Sequence, residues 1–255
     1  MSTDASVSPF SGPHSTDRGI TPAQRTAAKI VGILYLIQMA AAIFGEIFVR
    51  GRLIVPRDAV QTAANLAASE RLFRLSLVGD LMVYATVVVL FWGLYVILKP
   101  VNKDVALLAV LFRVIEQAIL AVTTFAGFIA LRLLSNTEYL RVVDTAQLQA
   151  LARAFLSMYG TGLSIGFLFL GLGSAVFSYV WLKSDYIPRA LALLGIFASL
   201  LLTFMSLITM VFPRVYAVLG MTYMVPMFLY EVGLGLWLLI KGLKAPPATN
   251  TLAPH

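Results

Sequence analysis

Ionisable side chains occur inside stretches of sequence that are otherwise apolar and long enough to cross a membrane. There are six of them: Glu46, Arg74, Asp80, Arg113, Glu116 and Glu231. A charge in hydrocarbon is costly, so such a residue usually faces an oppositely charged partner or a water-filled cavity. These six positions are where an ion pair, a ligand site, a proton pathway or acid–base chemistry would lie.

The first group of charges is deep in the predicted membrane region. Arg113 lies about 13 Å from the start of the third apolar run, and Glu231 lies about 15 Å from the end of the sixth, at 1.5 Å per residue. Arg113 and Glu116 are three positions apart and therefore share one helix face. We predict that Arg113 approaches Glu116 or Glu231 inside the bundle.

The second group is nearer the opposite membrane face. It consists of Glu46, Arg74 and Asp80, with Arg50 and Arg52 just beyond them. We predict that the loop from Arg50 to Arg71 is ordered and packs over this group. If these residues bind a ligand, the arginines would contact its anionic part. Such a ligand would be a small solute or a lipid.

Several catalytic and metal-dependent functions do not fit the sequence. There is no cysteine, and the two histidines, His14 and His255, lie near the chain ends. A serine protease would need a histidine base within the membrane, and zinc proteases need an H-E-x-x-H pair. We therefore assign no catalytic, cofactor-binding or metal-binding residue, and we expect no cofactor.

The elements that must position these charges are membrane-spanning helices. Six apolar runs cover roughly residues 27–49, 72–98, 105–131, 154–182, 190–212 and 215–240, and a spanning helix needs about 20 apolar residues. Only 12% of the residues are charged, against about 25% in soluble domains. The sequence predicts an all-α polytopic membrane protein with six transmembrane helices in a single bundle.

Topology follows from the even number of spans and from the basic residues. The predicted domain comprises residues 27–242, between disordered tails at residues 1–26 and 243–255. All six lysines fall on the side that carries both termini: Lys29, Lys99, Lys103, Lys183, Lys241 and Lys244. By the positive-inside rule this side is cytoplasmic, as in a multi-pass protein of the bacterial inner membrane.

The net charge of +7 is spread over loops and span ends, which favours lipid headgroups as partners and excludes nucleic acid.

Helix starts and bends are also predicted. Asp58 and Asp144 can each cap a helix that begins before the second and fourth spans. Both helices would exceed the bilayer thickness, so we expect in each a bend or an interfacial first section, at Gly79 in the first and at Gly160 or Gly162 in the second. Pro226 is expected to kink the last span.

The first loop carries a long motif that resembles a known family. Its residues are Glu46-Ile47-Phe48-Val49-Arg50-Gly51-Arg52-Leu53-Ile54-Val55-Pro56, then Asp58-Ala59, Thr62-Ala63, Asn65 and Ala68-Ser69-Glu70-Arg71-Leu72-Phe73-Arg74. With Leu98 to Lys103, Phe112-Arg113 and Glu231 to Gly242, the chain resembles the bacterial family called domain of unknown function 4386. The resemblance implies the same membrane architecture; it implies no reaction, because that family has no assigned activity.

Three functions remain open from the sequence. The first is a transporter-like bundle that binds a small anionic ligand or lipid. The second is a structural or accessory membrane protein whose charges only hold helices together. The third is a lipid-modifying membrane enzyme, which we favour less than a non-catalytic role.

Overall fold

The computed structural model describes residues 19–55, 58–135 and 142–244. All regular elements in these ranges are helical, and none of the described residues forms a β-strand. Within the same ranges, six helices are long and apolar enough to span a membrane. The prediction of an all-α, six-span membrane bundle is therefore confirmed.

The helices, in chain order, are α1 (Pro22–Ile43), α2 (Gly51–Leu53), α3 (Ala59–Ala68), α4 (Glu70–Leu98), α5 (Lys103–Leu134), α6 (Thr145–Ser184), α7 (Arg189–Val211), α8 (Pro213–Leu219) and α9 (Val225–Ile240). A π-helical segment, Phe44–Arg50, joins α1 to α2. A 3₁₀ turn, Thr222–Met224, leads into α9. Residues 1–18 and 245–255 of the predicted tails lie outside the described residues, whereas residues 22–26 belong to α1.

Side-chain caps set several of the helix starts. The Asp58 carboxylate accepts a hydrogen bond from the Gln61 backbone N–H at 2.8 Å, and the Asp144 carboxylate accepts one from the Ala146 N–H at 3.2 Å. Such bonds satisfy N–H groups that have no partner within the helix. Both predicted caps are confirmed, and the loop before the second span contains the ordered helix α3.

The segment before the second span forms a helix of its own. The break is at Ser69, whose φ of −126° and ψ of 31° separate α3 from α4. α4 continues through Gly79, and α6 continues through Gly160 and Gly162, without interruption. A glycine in a helix costs only about 1 kcal/mol relative to alanine, so a helix can continue through it.

The sixth span is shorter than its apolar run. Gly220 adopts a φ of +55°, a left-handed conformation that glycine reaches without strain and that ends a helix. α8 therefore stops at Leu219, and the last span begins only at Thr222. Pro226 lies in the first turn of α9, where its missing N–H needs no partner, so it starts this helix and the predicted kink is wrong.

Hydrogen bonds tie together the end of the bundle where α1 begins and α9 finishes, which we call the terminal end. The Gln24 side-chain amide donates to the Ile97 carbonyl at 2.9 Å, and the Lys244 N–H donates to the Tyr186 carbonyl at 2.8 Å. These bonds join the start of α1, the end of α4, the α6–α7 turn and the segment after α9. The opposite end, which carries α3, is called the loop end.

Two separate apolar cores hold the helices. The terminal-end core includes Leu94, Trp181 and Leu238, and the loop-end core includes Leu66 and Phe73. Among the described residues, neither core has a buried member in α4 between Leu77 and Val87, in α5 between Ala109 and Ala126, or in α6 between Tyr159 and Phe177. The middle of the bundle is therefore packed differently from its two ends.

Glycines bring particular helix pairs close together. A Cβ at Gly32 of α1 would lie 2.8 Å from the Gly235 carbonyl oxygen of α9, which only a glycine permits. On α6, Gly162 packs against Thr123 of α5, and a Cβ at Gly166 would lie 2.6 Å from Leu120. Small residues at these crossings allow the backbone contact that stabilises helix pairs in membranes.

The orientation of the bundle can be tested by labelling single cysteines, because the natural sequence contains none. Gln61 is exposed on α3 at the loop end, and Asp104 is exposed in the first turn of α5 at the terminal end. We expect a membrane-impermeant maleimide to label Gln61→Cys, but not Asp104→Cys, in intact cells. Labelling of Asp104→Cys alone would reverse the predicted orientation, and disrupted cells, in which both should react, provide the control.

Candidate functional site

Arg113 occupies the centre of the bundle and is almost completely buried, with 2% of its surface exposed. Its Nη1 lies 3.0 Å from Glu116 Oε2 on the same helix, and its Nη2 lies 3.8 Å from Glu231 Oε1 on α9. Both carboxylates are buried as well. The predicted approach of Arg113 to Glu116 or Glu231 is confirmed, and it contacts both.

Further groups position this ion pair. A Cβ at Gly173 of α6 would lie 2.7 Å from Arg113 Cγ, so glycine leaves the space through which the side chain passes. The guanidinium carbon lies 4.6 Å from the ring centroid of Phe91 on α4, a distance typical of cation–π contacts. Nη1 also donates to Ser174 Oγ at 3.4 Å. Arg113 thus contacts residues of α4, α6 and α9 as well as its own helix.

Gln38 on α1 completes what we call the central cluster: Gln38, Arg113, Glu116 and Glu231. Its side-chain amide donates to Glu231 Oε2 at 3.2 Å. The sequence analysis missed Gln38, although an amide in the middle of an apolar span was a usable signal. It also missed Phe91 and Ser174, for which the sequence contains no distinguishing pattern.

A second cluster, the loop-end cluster, consists of Glu46, Arg50, Asp80 and Tyr159. Arg50 Nε lies 2.9 Å from Glu46 Oε1, and Arg50 Nη1 lies 2.8 Å from Asp80 Oδ2. The Tyr159 hydroxyl donates to Asp80 Oδ2 at 3.1 Å, and its ring centroid is 5.4 Å from the Arg50 guanidinium carbon. Arg50 is 6% exposed and joins the π-helical segment to α4 and α6.

The π-helical segment places Arg50 in this position. π-helical turns are rare and occur frequently at functional sites. Within the segment, Gly45 provides the space for the arginine head group, because a Cβ there would lie 2.7 Å from Arg50 Nη2. The backbone therefore continues past the end of α1 as a wider helix that directs Arg50 into the bundle.

Arg74 and Arg52 do not belong to this cluster. Arg74 Nη2 pairs with Glu70 Oε1 at 2.7 Å on the surface, where the two side chains are 44% and 41% exposed. Arg74 and Asp80 are six residues apart, which directs their side chains about 120° apart around a helix of 3.6 residues per turn. Arg52 is exposed, with its guanidinium carbon 5.6 Å from the Phe48 ring centroid. The predicted grouping of Arg74 with Glu46 and Asp80 is therefore wrong.

A cavity of about 340 Å³ lies between the two apolar cores, and its wall contains the central cluster and Glu46, Arg50 and Asp80 of the loop-end cluster. It is lined by residues of α1, the π-helical segment, α4, α5, α6 and α9, and most of its surface is apolar. Leu120, Leu163 and Phe167 contribute to the apolar wall. The arrangement is a largely apolar chamber with charged groups at two positions.

Some polar atoms in the cavity wall have no hydrogen-bond partner among the described residues. They are Gln117 Oε1, Glu116 Oε2 and Glu231 Oε1. The two carboxylate oxygens lie within ion-pair distance of Arg113, whereas no such contact is seen for the amide oxygen. A buried acceptor without a donor is unfavourable by about 1–3 kcal/mol, so a donor that reached Gln117 Oε1 would remove this cost. Among the described residues, no group of three or more acidic side chains is arranged to hold a metal ion.

The fold and these clusters define a multi-pass helical membrane protein with a charged cavity in its interior. A family model described as a domain of unknown function (DUF4386) matches residues 30–242. The chain therefore belongs to this family, as the loop motif predicts. Comparison with curated proteins and with solved structures gives no match.

Substitutions in the central cluster test whether its charges depend on each other. Arg113→Met should lower the free energy of unfolding by about 3–5 kcal/mol, because it leaves two buried carboxylates without a cation. Adding Glu231→Gln should recover part of this loss, so the double variant is less destabilised than the sum of the single ones. A double-mutant cycle in detergent unfolding measures the coupling, and additive losses would contradict the observed contact.

A second test compares the loss of stability on removing the buried Arg50 with the loss on removing the exposed Arg74. Arg50→Met should lower the free energy of unfolding by about 2–3 kcal/mol, below the range for fully buried pairs, because Glu46 retains 30% exposure. Arg74→Met is the matched control and should cost at most about 1 kcal/mol, as exposed ion pairs do. Equal losses in the two variants, measured by the same unfolding assay, would contradict the placement of Arg50 inside the bundle.

Proposed function

We propose that the bundle binds a small amphipathic molecule in the cavity between its two cores. The cavity itself is the observation that supports this proposal. Protein interiors are close-packed, with few voids larger than a water molecule. A cavity of about 340 Å³ falls in the range of ligand pockets, which are mostly apolar with a few polar groups that fix orientation.

The position of the cavity supports a ligand that comes from the lipid phase. α1 and α9 cross closely at Gly32 and Gly235, in the half of the bundle near the terminal end. Beyond this crossing, towards the loop end, residues of both helices line the cavity instead of packing tightly. Ile47 and Val225 are cavity-lining residues that remain 62% and 52% exposed, so this side of the cavity reaches the surface of the bundle.

The second candidate is a structural or accessory role, and the ion pairs favour it. Arg50 and Arg113 each contact two carboxylates, which is the arrangement expected if the charges only fix helix positions. This role does not account for the cavity or for the unpartnered Gln117 Oε1. We therefore place ligand binding first, with transport across the membrane as one possible use of it and lipid modification as another.

Ligand binding can be tested with a neutral probe that matches the apolar chamber. The purified chain is reconstituted in phosphatidylcholine nanodiscs, and binding of tritiated 1-adamantanol is measured after subtraction of uptake by empty nanodiscs. We expect saturable binding of one molecule per chain. Ala41→Trp, which places an indole in the cavity wall, should weaken binding by at least about tenfold, or about 1.4 kcal/mol.

The neighbouring residue provides the matched control. Ala40 lies on the same helix, is exposed, and does not line the cavity, so Ala40→Trp should bind 1-adamantanol like the natural chain. Binding that does not saturate, or that falls equally in both variants, would refute the cavity as a ligand site.

A further inference from the structure

We infer that the ligand of the cavity carries a positive charge on a hydrogen-bond donor, such as an ammonium group, and that this group binds at the central cluster beside Gln117. The inference rests on the proposed function, since it specifies the chemical class of the molecule in the cavity. It differs from the anionic ligand that the sequence favours, and the difference comes from where the structure places the arginines.

The charges around the cavity are unequal. Four carboxyl side chains line it, Glu46, Asp80, Glu116 and Glu231, and the lining contains two guanidinium groups, Arg50 and Arg113. The wall therefore has two more carboxyl groups than guanidinium groups. In a chamber with apolar walls, such an excess attracts cations more strongly than it would in water.

Neither guanidinium is available to an anion. Arg50 contacts Glu46, Asp80 and the ring of Tyr159. Arg113 contacts two carboxylates, a serine hydroxyl and the ring of Phe91. An anionic ligand would have to displace a carboxylate from one of these arginines and leave that carboxylate without its counter-charge. Arg52 and Arg74, the other arginines predicted to bind an anion, do not line the chamber.

Gln117 is an independent indication of a donor ligand. Its side chain lines the cavity and is only 8% exposed, and its Oε1 has no hydrogen-bond partner among the described residues. Glu231 Oε1 is likewise not hydrogen-bonded and lies 3.8 Å from Arg113 Nη2, whereas Glu116 Oε2 already has Arg113 Nη1 at 3.0 Å. Gln117 Oε1 and Glu231 Oε1 are both acceptors. A primary ammonium carries three N–H donors and no acceptor, so it matches both the charge and the hydrogen-bonding deficit of this part of the wall.

Three adamantane derivatives of one shape test this inference: 1-adamantylammonium, 1-adamantanol and adamantane-1-carboxylate. Their affinities are measured in zwitterionic phosphatidylcholine nanodiscs, with empty nanodiscs subtracted. We expect the ammonium compound to bind at least about tenfold more tightly than the alcohol, because a hydrogen bond that involves a charged group is stronger than one between neutral groups. The carboxylate should bind more weakly than the alcohol. A carboxylate that binds as tightly as the ammonium compound would overturn the inference.

Two variants then locate the positive group. Glu231→Gln should reduce the preference for the ammonium compound over the alcohol by about tenfold, and a monodisperse peak in size-exclusion chromatography shows that the variant is folded. Gln117→Leu removes the unpartnered acceptor without changing charge and should reduce the same preference by about threefold. An unchanged preference in both variants would exclude this binding position.

The outcomes separate this inference from the proposed function. If the alcohol binds in the cavity and the ammonium compound shows no advantage, the inference fails while the proposed function stands. If none of the three compounds binds saturably, both are refuted.

Discussion

The buried guanidinium of Arg113 is the constraint on which the rest of this structure depends. A cation at the middle of a span needs partners, since an isolated arginine there costs at least about 2.5 kcal/mol. Glu116 is available one turn along the same helix, and Glu231 comes from α9. Gly173 on α6 leaves the space for the side chain, and Gln38 on α1 holds the second oxygen of Glu231. One charge thus determines how four further positions on α1, α5, α6 and α9 must be arranged.

The same constraint explains why the apolar interior is divided. Buried polar groups are unfavourable unless they find hydrogen-bond partners, and in the cavity wall Gln117 Oε1 has none among the described residues. The terminal-end and loop-end cores lie on either side, and the cavity lies where the charged groups replace core residues. In the loop-end cluster, as in the central cluster, one arginine contacts two carboxylates: Arg50 lies between Glu46 and Asp80.

The sequence predicted the parts of this arrangement that depend on length and depth. Runs of about 20 apolar residues identify the spans, and equal distances along antiparallel helices correctly bring Arg113 to Glu231. It could not predict the loop-end cluster correctly, because Arg50 lies beyond the apparent end of its apolar run and only the π-helical segment turns it inwards. Arg74 lies within the apolar run of α4 but faces outwards and pairs with Glu70. The depth of a residue along its span can be predicted from the sequence, whereas the direction of a side chain near a helix end depends on local backbone geometry.

The two contacts of Arg113 differ in a way that bears on ligand binding. The contact with Glu116 is within one helix and measures 3.0 Å, whereas the contact with Glu231 joins α5 to α9 and measures 3.8 Å. An ammonium group placed beside Gln117 and Glu231 would take over the longer contact, and Arg113 would keep Glu116, Ser174 and the ring of Phe91 as partners. No charge would then be left without a counter-charge. A cationic ligand can therefore bind at this position while every buried charge keeps a counter-charge, whereas an anionic ligand would leave a carboxylate without one.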